Sequence, residues 1–113
     1  MKGGASLGNE LIFFKAFGAV PVNRVILFLL ENNIFDYSKS DIAKYAGVSR
    51  MTLDKFFNSL DEFKIVLKTR DVGRATLYRI NLESQIVQEF AKLNEAVTNS
   101  YEEKLFGKEK SFA

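Results

Sequence analysis

Residues 39–60 have the sequence KSDIAKYAGVSRMTLDKFFNSL, the pattern of two short helices joined by a tight turn. Ser40 is placed to cap the first helix and Ser49 the second, because a hydroxyl oxygen there accepts hydrogen bonds from backbone N–H groups that have no partner within the helix. Gly47 stands at the turn, where glycine adopts a positive φ without steric cost. The stretch therefore predicts a compact pair of helices.

Apolar residues give each of these helices one inner face. Small Ala43 lets the two helices approach closely, and the other inward positions are Ile42, Ala46, Val48, Leu53 and either Phe56 or Phe57. Two helices packed across a short turn form a helix-turn-helix, whose second helix lies in the DNA major groove. The pair therefore predicts a DNA-binding function that the rest of the chain can support or oppose.

A β-hairpin follows the helical pair. Residues 63–70, FKIVLKTR, are rich in strand-forming side chains, and residues 75–80, ATLYRI, form a second such run. Between them, DVGR at 71–74 is a turn signal in which Gly73 accommodates a positive φ. The sequence thus predicts a helical pair followed directly by a β-hairpin.

The segment before the helical pair also has a helical pattern. Residues 7–17 predict a first helix that ends near Gly18. Pro21 suits the first turn of a second helix, where its missing N–H costs little, and that helix continues over 22–32. Residues 34–37 are then a short connector or a strand with a single bridge.

A long helix is predicted over 85–105, with Ser84 as its cap. Its apolar residues recur every three or four positions and form a narrow stripe, which is more typical of a seam between two helices than of a broad core-facing surface. The stripe consists of Ile86, Phe90, Leu93, Val97, Tyr101 and Leu105.

The two flanking helices predict a homodimer. Phe13, Phe14 and Phe17 lie within five residues and cannot all face so small a core, so a partner surface is expected there. Apolar elements at both ends of a domain commonly pair across a two-fold axis. The alternative is that the last helix folds back on its own domain. The predicted dimerisation residues are Leu11, Phe14, Ile86, Phe90, Leu93, Val97 and Tyr101.

The 113 residues suffice for one core. The predicted organisation is an N-terminal dimerisation helix in 1–20, a central domain in 21–82, a C-terminal dimerisation helix in 83–106 and a loose tail in 107–113.

Composition disfavours an enzyme. The chain has no Cys and no His, its carboxylates are scattered, and it lacks a Gly-rich phosphate loop, so we expect no catalytic residues, metal site or cofactor. The absence of disulfides fits a cytoplasmic protein. The apolar run LIFFKAFGAV is interrupted by Lys15, and no window reaches the roughly 18–20 apolar residues of a membrane span.

Charge is distributed unevenly although the net charge is only +2. Residues 1–38 sum to zero, residues 39–80 have nine basic and five acidic side chains, and residues 81–113 sum to −2. The basic excess therefore lies in the helical pair and the hairpin, where nucleic acid would bind.

The chain resembles the winged helix-turn-helix family of transcription regulators, particularly small archaeal and bacterial regulators of the MarR or ArsR type. SDIAKYAGVSRMTLDKFFNSL and KIVLKTRDVGRATLYRIN carry the resemblance, which covers roughly residues 22–82. It implies a mainly α fold with a small β-hairpin wing, here extended by a long C-terminal helix. It also implies sequence-specific binding of double-stranded DNA, with transcription regulated by occupancy of a pseudo-palindromic site.

The resemblance further implies which residues contact DNA. Residues at the start of the second helix face base edges, two lysines contact phosphates, and the wing supplies three more cations. Asp54 departs from this pattern, since it repels phosphates unless it turns away or pairs with Lys55 or Arg50. Ser49 has an alternative role as a simple cap, and Arg50 as a solvated surface residue. The predicted DNA-binding residues are Lys39, Ser49, Arg50, Met51, Thr52, Lys55, Lys68, Arg70 and Arg74.

Two other functions remain open. A winged helix can serve as a protein-binding subunit, which the Phe-rich N-terminus favours, although such a subunit does not need basic residues on one face. The chain can also be a replication or plasmid-maintenance factor that binds DNA. A small-molecule effector is also open, although no residue pattern marks a specific pocket for one. The lack of Cys and His disfavours metal or redox sensing.

Overall fold

The computed structural model describes the backbone of residues 11–111 and the side chains of residues 11–106. It contains five helices and one three-stranded sheet in this described part. In chain order these are α1 (Ile12–Phe17), α2 (Pro21–Glu31), β1 (Tyr37–Ser38), α3 (Lys39–Ala46), α4 (Arg50–Glu62), β2 (Val66–Val72), β3 (Ala75–Ile80) and α5 (Gln85–Ser111).

The predicted helical pair is α3 and α4. Gly47 ends α3 in the left-handed region with φ 78°, and its N–H donates to the carbonyl oxygens of Ala43 and Lys44. Ser49 caps α4 as predicted, since its Oγ accepts from the backbone N–H of Thr52 at 3.0 Å. The predicted cap of α3 was wrong. Ser38, not Ser40, accepts from the N–H of Asp41, because α3 begins directly after the extended residues of β1.

The core forms around α2, which packs against α3, α4 and the sheet. Its centre is fully buried and draws on α2, α3, α4, β2, β3 and the start of α5, so the helical pair and the hairpin form one unit. The largest fully buried side chains there are Val25, Phe28, Leu29, Ile42, Leu53, Phe57, Val66, Ile80 and Val87.

The sheet is antiparallel with strand order β1-β3-β2. The hairpin turns at Gly73, whose φ is 61°, as predicted. Strand β2 begins three residues later than predicted because the backbone N–H of Phe63 still bonds to the Ser59 carbonyl at the end of α4, and Lys64 turns the chain with φ 58°. A bulge interrupts the register at Thr69, between the Lys68 and Arg70 pairs.

The N-terminal aromatic residues are more buried than predicted. Phe13 is 2% exposed and Phe14 is 7% exposed, and the Phe13 ring stacks on Phe90 of α5 with 5.1 Å between centroids. The prediction of a partner surface at Phe13 and Phe14 was therefore wrong, because α2 and α5 of the same chain cover them. Phe17 does expose 52% of its surface. Residues 7–10 of the predicted first helix lie outside the described residues.

Helix α5 is capped by Ser84, whose Oγ accepts from the N–H of Val87 at 3.2 Å. It packs on α1, and its 27 residues extend for about 40 Å. Phe106 leaves the helical region at φ −119°, after which the helix continues to Ser111, within the segment predicted as a tail. None of the helices in the described residues is both long and apolar enough to cross a bilayer.

Candidate nucleic-acid interface

The start of α4 presents one apolar and one basic side chain to solvent. Met51 is 75% exposed, although burying a methionine side chain is favourable by about 1.5–3 kcal/mol. Ser49 and Thr52 are occupied locally, since the Ser49 Oγ caps the helix and also bonds to the Thr52 Oγ1 at 2.8 Å. The cap is thus an observed role of Ser49, and a DNA contact by Ser49 or Thr52 stays a prediction.

Arg50 is held by two contacts on different helices. Its Nε donates to Asp54 Oδ1 at 3.3 Å, and its Nη1 donates to the Oγ of Ser40 on α3 at 3.0 Å. Asp54 therefore pairs with Arg50, one of the arrangements that the sequence allowed. The contact with Ser40 was missed, because it depends on how α3 and α4 pack. Neither contact uses Nη2, which leaves that group available for a ligand.

A groove of about 430 Å³ separates the start of α4 from the tip of the wing. Lys39, Arg50 and Arg74 bring three cations to it, and four hydroxyl groups lie between them. The Lys39 Nζ lies 5.0 Å from the ring centroid of Phe57 and 6.0 Å from that of Tyr78, so aromatic faces hold it in place. The lining residues are Ser38, Lys39, Ser40, Arg50, Arg74, Ala75, Thr76 and Tyr78.

The predicted wing cations differ in their surroundings. Arg74 lines the groove, whereas the Lys68 Nζ lies 3.6 Å from Asp71 and Arg70 is paired with Asp36. Among the described side chains, Arg74 has no acidic group within ion-pair distance, and the same holds for Lys55 on the exposed side of α4. Lys39 has no ion pair either, so Arg74, Lys55 and Lys39 are the predicted cations whose charge is least compensated among the described side chains.

The pair of Asp36 and Arg70 is the most perturbed electrostatic contact of the described residues. Arg70 donates from Nε and Nη2 to the two carboxylate oxygens at 3.0 and 3.3 Å, and Thr69 donates to Oδ2 at 2.5 Å. Hydrogen bonds from Arg70 and then Thr69 lower the pKa of Asp36 to about 2. The Asp36 carboxylate correspondingly raises the pKa of Arg70. Asp36 was not among the predicted site residues, because it lies 34 positions from Arg70 in the sequence.

The predicted dimerisation residues lie on α5 and around α1. Phe14 is buried within its own chain, so it does not offer a contact surface. Ile86 and Leu93 are exposed on α5. A second groove of about 470 Å³ lies between α1 and α5 and includes Lys15 and Phe17. The partly buried members of the predicted set are Leu11, Phe90, Val97 and Tyr101.

No three His, Cys, Asp or Glu side chains come together as a metal-binding group within the described residues. The groove between α1 and α5 is lined mainly by apolar side chains, and a small-molecule effector stays a hypothesis.

No protein-family model and no curated protein matches the chain. Among solved structures it is similar to the adhesin competence repressor AdcR of Streptococcus pyogenes, with a TM-score of 0.56 and 19% identity, over 86% of this chain and 74% of that one. It is also similar to apo ZitR of Lactococcus lactis, with a TM-score of 0.58 and 18% identity, over 81% and 70% of the two chains.

The chain has a winged helix-turn-helix fold. This confirms the predicted fold class, which is mainly helical with a β-hairpin wing and a long C-terminal helix. At 18–19% identity the similarity extends to the fold alone, so the MarR or ArsR subtype stays a prediction.

Proposed function

We propose that this winged helix protein binds double-stranded DNA sequence-specifically and regulates transcription by occupying its site as a homodimer. The groove between α4 and the wing is the observation that carries the proposal, because it directs three cations and four hydroxyl groups to one solvent-facing surface. Such groups suit phosphate oxygens and base edges. The description of AdcR as a repressor supports regulation as the purpose of binding.

Different residues of this face have different roles in the proposal. Arg50 is held by Ser40 and Asp54 at the start of α4, where it can donate two hydrogen bonds to guanine. Exposed Met51 can contact a thymine methyl group. Lys39 and Lys55 contact phosphates. Arg74, at the tip of the wing, enters the minor groove, whose negative potential attracts arginine.

The homodimer is supported by the apolar surface of α5. Helix α1 covers only part of α5, and apolar side chains remain exposed along its length at Ile86, Leu93 and Leu105. With a longest dimension of 58 Å, the chain is elongated, which suits two α5 helices packing on each other around a two-fold axis. Two wings related by that axis would meet a pseudo-palindromic site with half-sites about one helical turn apart.

Fluorescence anisotropy with a random-sequence duplex tests DNA binding. If about six basic groups contact phosphates, we expect affinity to fall about 1,000-fold or more between roughly 50 and 200 mM salt. Arg50→Ala combined with Arg74→Ala should bind much more weakly at both salt concentrations. Selection from a random duplex library then identifies the site, at which Arg50→Ala alone should cost about 1–3 kcal/mol and relax base preference at one position.

Lys92→Ala is the matched control. Lys92 lies on α5, away from the groove, and forms an ion pair with Glu89 at 3.5 Å. The variant removes one positive charge as Arg50→Ala does, so it should retain wild-type binding. Absence of binding at low salt, or full binding by the Arg50 and Arg74 double variant, overturns the proposal.

Gel filtration with light scattering tests the dimer. We expect a dimer at micromolar concentration, and a shift to monomer in Leu93→Asp, because a charge at an apolar contact is strongly unfavourable. Asn99→Asp adds the same charge at an exposed position of α5 and should remain dimeric. A monomeric wild-type chain overturns the homodimer without affecting the DNA test.

A protein-binding winged helix is the second candidate. The Phe-rich N-terminus favours this function less than the sequence suggested, because Phe13 and Phe14 are buried. An exposed apolar site does exist in the turn between α2 and β1, where Ile34 is 79% exposed and Phe35 is exposed beside it. Failure to bind any duplex would favour this function. A replication or maintenance factor uses the same DNA face, so a transcription assay on the selected site is needed to distinguish it from a regulator.

A further inference from the structure

One acidic residue holds the base of the wing from across the sheet. Asp36 precedes β1, and β1 and β2 lie on opposite sides of β3. The Asp36 carboxylate nonetheless reaches Arg70 on β2 through two hydrogen bonds and Thr69 through a third. The Asp36 side chain is 19% exposed and that of Arg70 is 63% exposed, so the geometry of the pair, rather than burial, distinguishes it. We name Asp36, Thr69 and Arg70 the wing clasp.

The β-bulge explains how one carboxylate holds two consecutive residues. Side chains at adjacent strand positions normally point to opposite faces of a sheet. The register shift between Lys68 and Arg70 breaks this alternation at Thr69, so Thr69 and Arg70 both reach Asp36. Bulges also bend and twist a strand. The clasp therefore holds the point where β2 changes direction on its way to the wing tip.

We propose that Asp36 is a positioning residue for DNA binding, and that it strengthens binding by fixing the wing through Thr69 and Arg70. The inference rests on the proposed function, in which Arg74 at the wing tip contacts DNA. A bidentate arginine–carboxylate pair constrains orientation as well as distance. Without the clasp, the wing would adopt several orientations, and ordering it on DNA would cost free energy.

The sign of the effect separates positioning from simple electrostatics. Removing a negative charge near a DNA-binding face should strengthen binding if charge alone matters, since phosphates repel carboxylates. It would also release Arg70 to contact phosphate. The wing clasp predicts the opposite, that removal of the Asp36 charge weakens binding.

Asp36→Asn and Asp71→Asn form the test pair. Asp71 also lies on the wing, where it contacts Lys68 and accepts a hydrogen bond from Thr76 at 2.9 Å. Each variant removes one negative charge with little change of shape. In duplex titrations from about 50 to 200 mM salt, we expect Asp36→Asn to bind about tenfold more weakly without a lower salt slope, because an ordering cost removes no phosphate contact from the complex. Asp71→Asn should bind as tightly as wild type or more tightly.

Arg70→Lys gives a second, charge-preserving readout. Lysine keeps the positive charge but loses the planar fork that bonds to both carboxylate oxygens. We expect it to weaken binding as Asp36→Asn does, whereas an arginine that merely attracts phosphate would tolerate the exchange. Thermal melting checks that each variant is folded at the assay temperature. If Asp36→Asn is unfolded at that temperature, Arg70→Lys alone decides the test.

The outcomes distinguish this inference from the proposed function. If wild type does not bind DNA, the proposed function fails and the positioning role fails with it. If wild type binds but Asp36→Asn binds equally or more tightly, or if Arg70→Lys binds like wild type, the positioning role is overturned while DNA binding stands.

Discussion

One arginine–aspartate pair lies within the helix-turn-helix and another joins the wing to the loop before β1, and the two pairs are built differently. Arg50 and Asp54 are one turn apart on α4, and both are half exposed, so helix geometry alone brings them together. Arg70 and Asp36 are 34 residues apart and meet only because β1 and β2 join the same sheet. The helix-turn-helix therefore contains its own positioning contacts, whereas the orientation of the wing depends on a distant loop.

The largest expected difference concerns the core. Leu53 of α4 is fully buried, so Leu53→Ala should lower the free energy of unfolding by about 2–5 kcal/mol. Val72→Ala on the exposed wing should change it by less than about 0.5 kcal/mol. Urea unfolding followed by circular dichroism measures both. Equal effects would mean that the wing is as integral to the core as α4 is.

Gly47→Ala tests the turn of the helix-turn-helix. At φ 78° an alanine costs about 1–3 kcal/mol, and its Cβ would also lie 3.0 Å from the Nη2 of Arg24. That guanidinium donates from Nε to the Ala46 carbonyl at 3.1 Å, so displacing it disturbs a second contact. Urea unfolding of Gly47→Ala should show this loss, and wild-type stability in the variant would contradict it.

Gly73→Ala makes the same change at the wing tip, where φ is 61° and nothing lies within 4 Å of an added Cβ. Only backbone strain of about 1 kcal/mol is then expected. The loss of unfolding free energy should be smaller than for Gly47→Ala. A reversed order would show that the wing turn is the more constrained of the two.

The smallest expected effect concerns pH. The pKa of Asp36 is lowered from 3.8 to about 2, so the folded state favours the charged carboxylate. The stabilisation is fully present above pH 3.8 and is lost as the pH falls through about 2. NMR titration of the Asp36 carboxyl carbon should give a midpoint near 2 in wild type. In Arg70→Lys the midpoint should move upward, and an unchanged midpoint would contradict the assignment of Arg70 as the main cause.

Local signals in the sequence predicted the helix-turn-helix well. Gly47 and Ser49 act within a few residues of themselves, so a turn and a cap could be assigned from residue type and spacing. The α3 cap was misplaced by two residues because Ser38 and Ser40 are both suitable hydroxyls. Ser38 is the cap because β1 ends at Ser38 and α3 begins at the next residue.

Contacts between distant segments could not be predicted in the same way. Phe13 is covered by Phe90, 77 positions later, and the sequence has no signal that brings α1 and α5 together. The Asp36–Arg70 pair likewise depends on strand order and on a bulge at Thr69, neither of which follows from periodicity. The sequence thus allowed the local pair of Arg50 and Asp54, but it had no signal that a distant carboxylate pairs with Arg70, and the DNA-binding residues stay a prediction.

The bulge and charges of β2 also affect solubility. As an outer strand, β2 has one edge whose backbone N–H and C=O groups do not pair within the sheet, and such edges can recruit strands from other molecules. A bulge together with charged residues at Lys68, Arg70 and Asp71 is a common protection against that association. The features that orient the wing therefore also discourage two such sheets from joining edge to edge and aggregating.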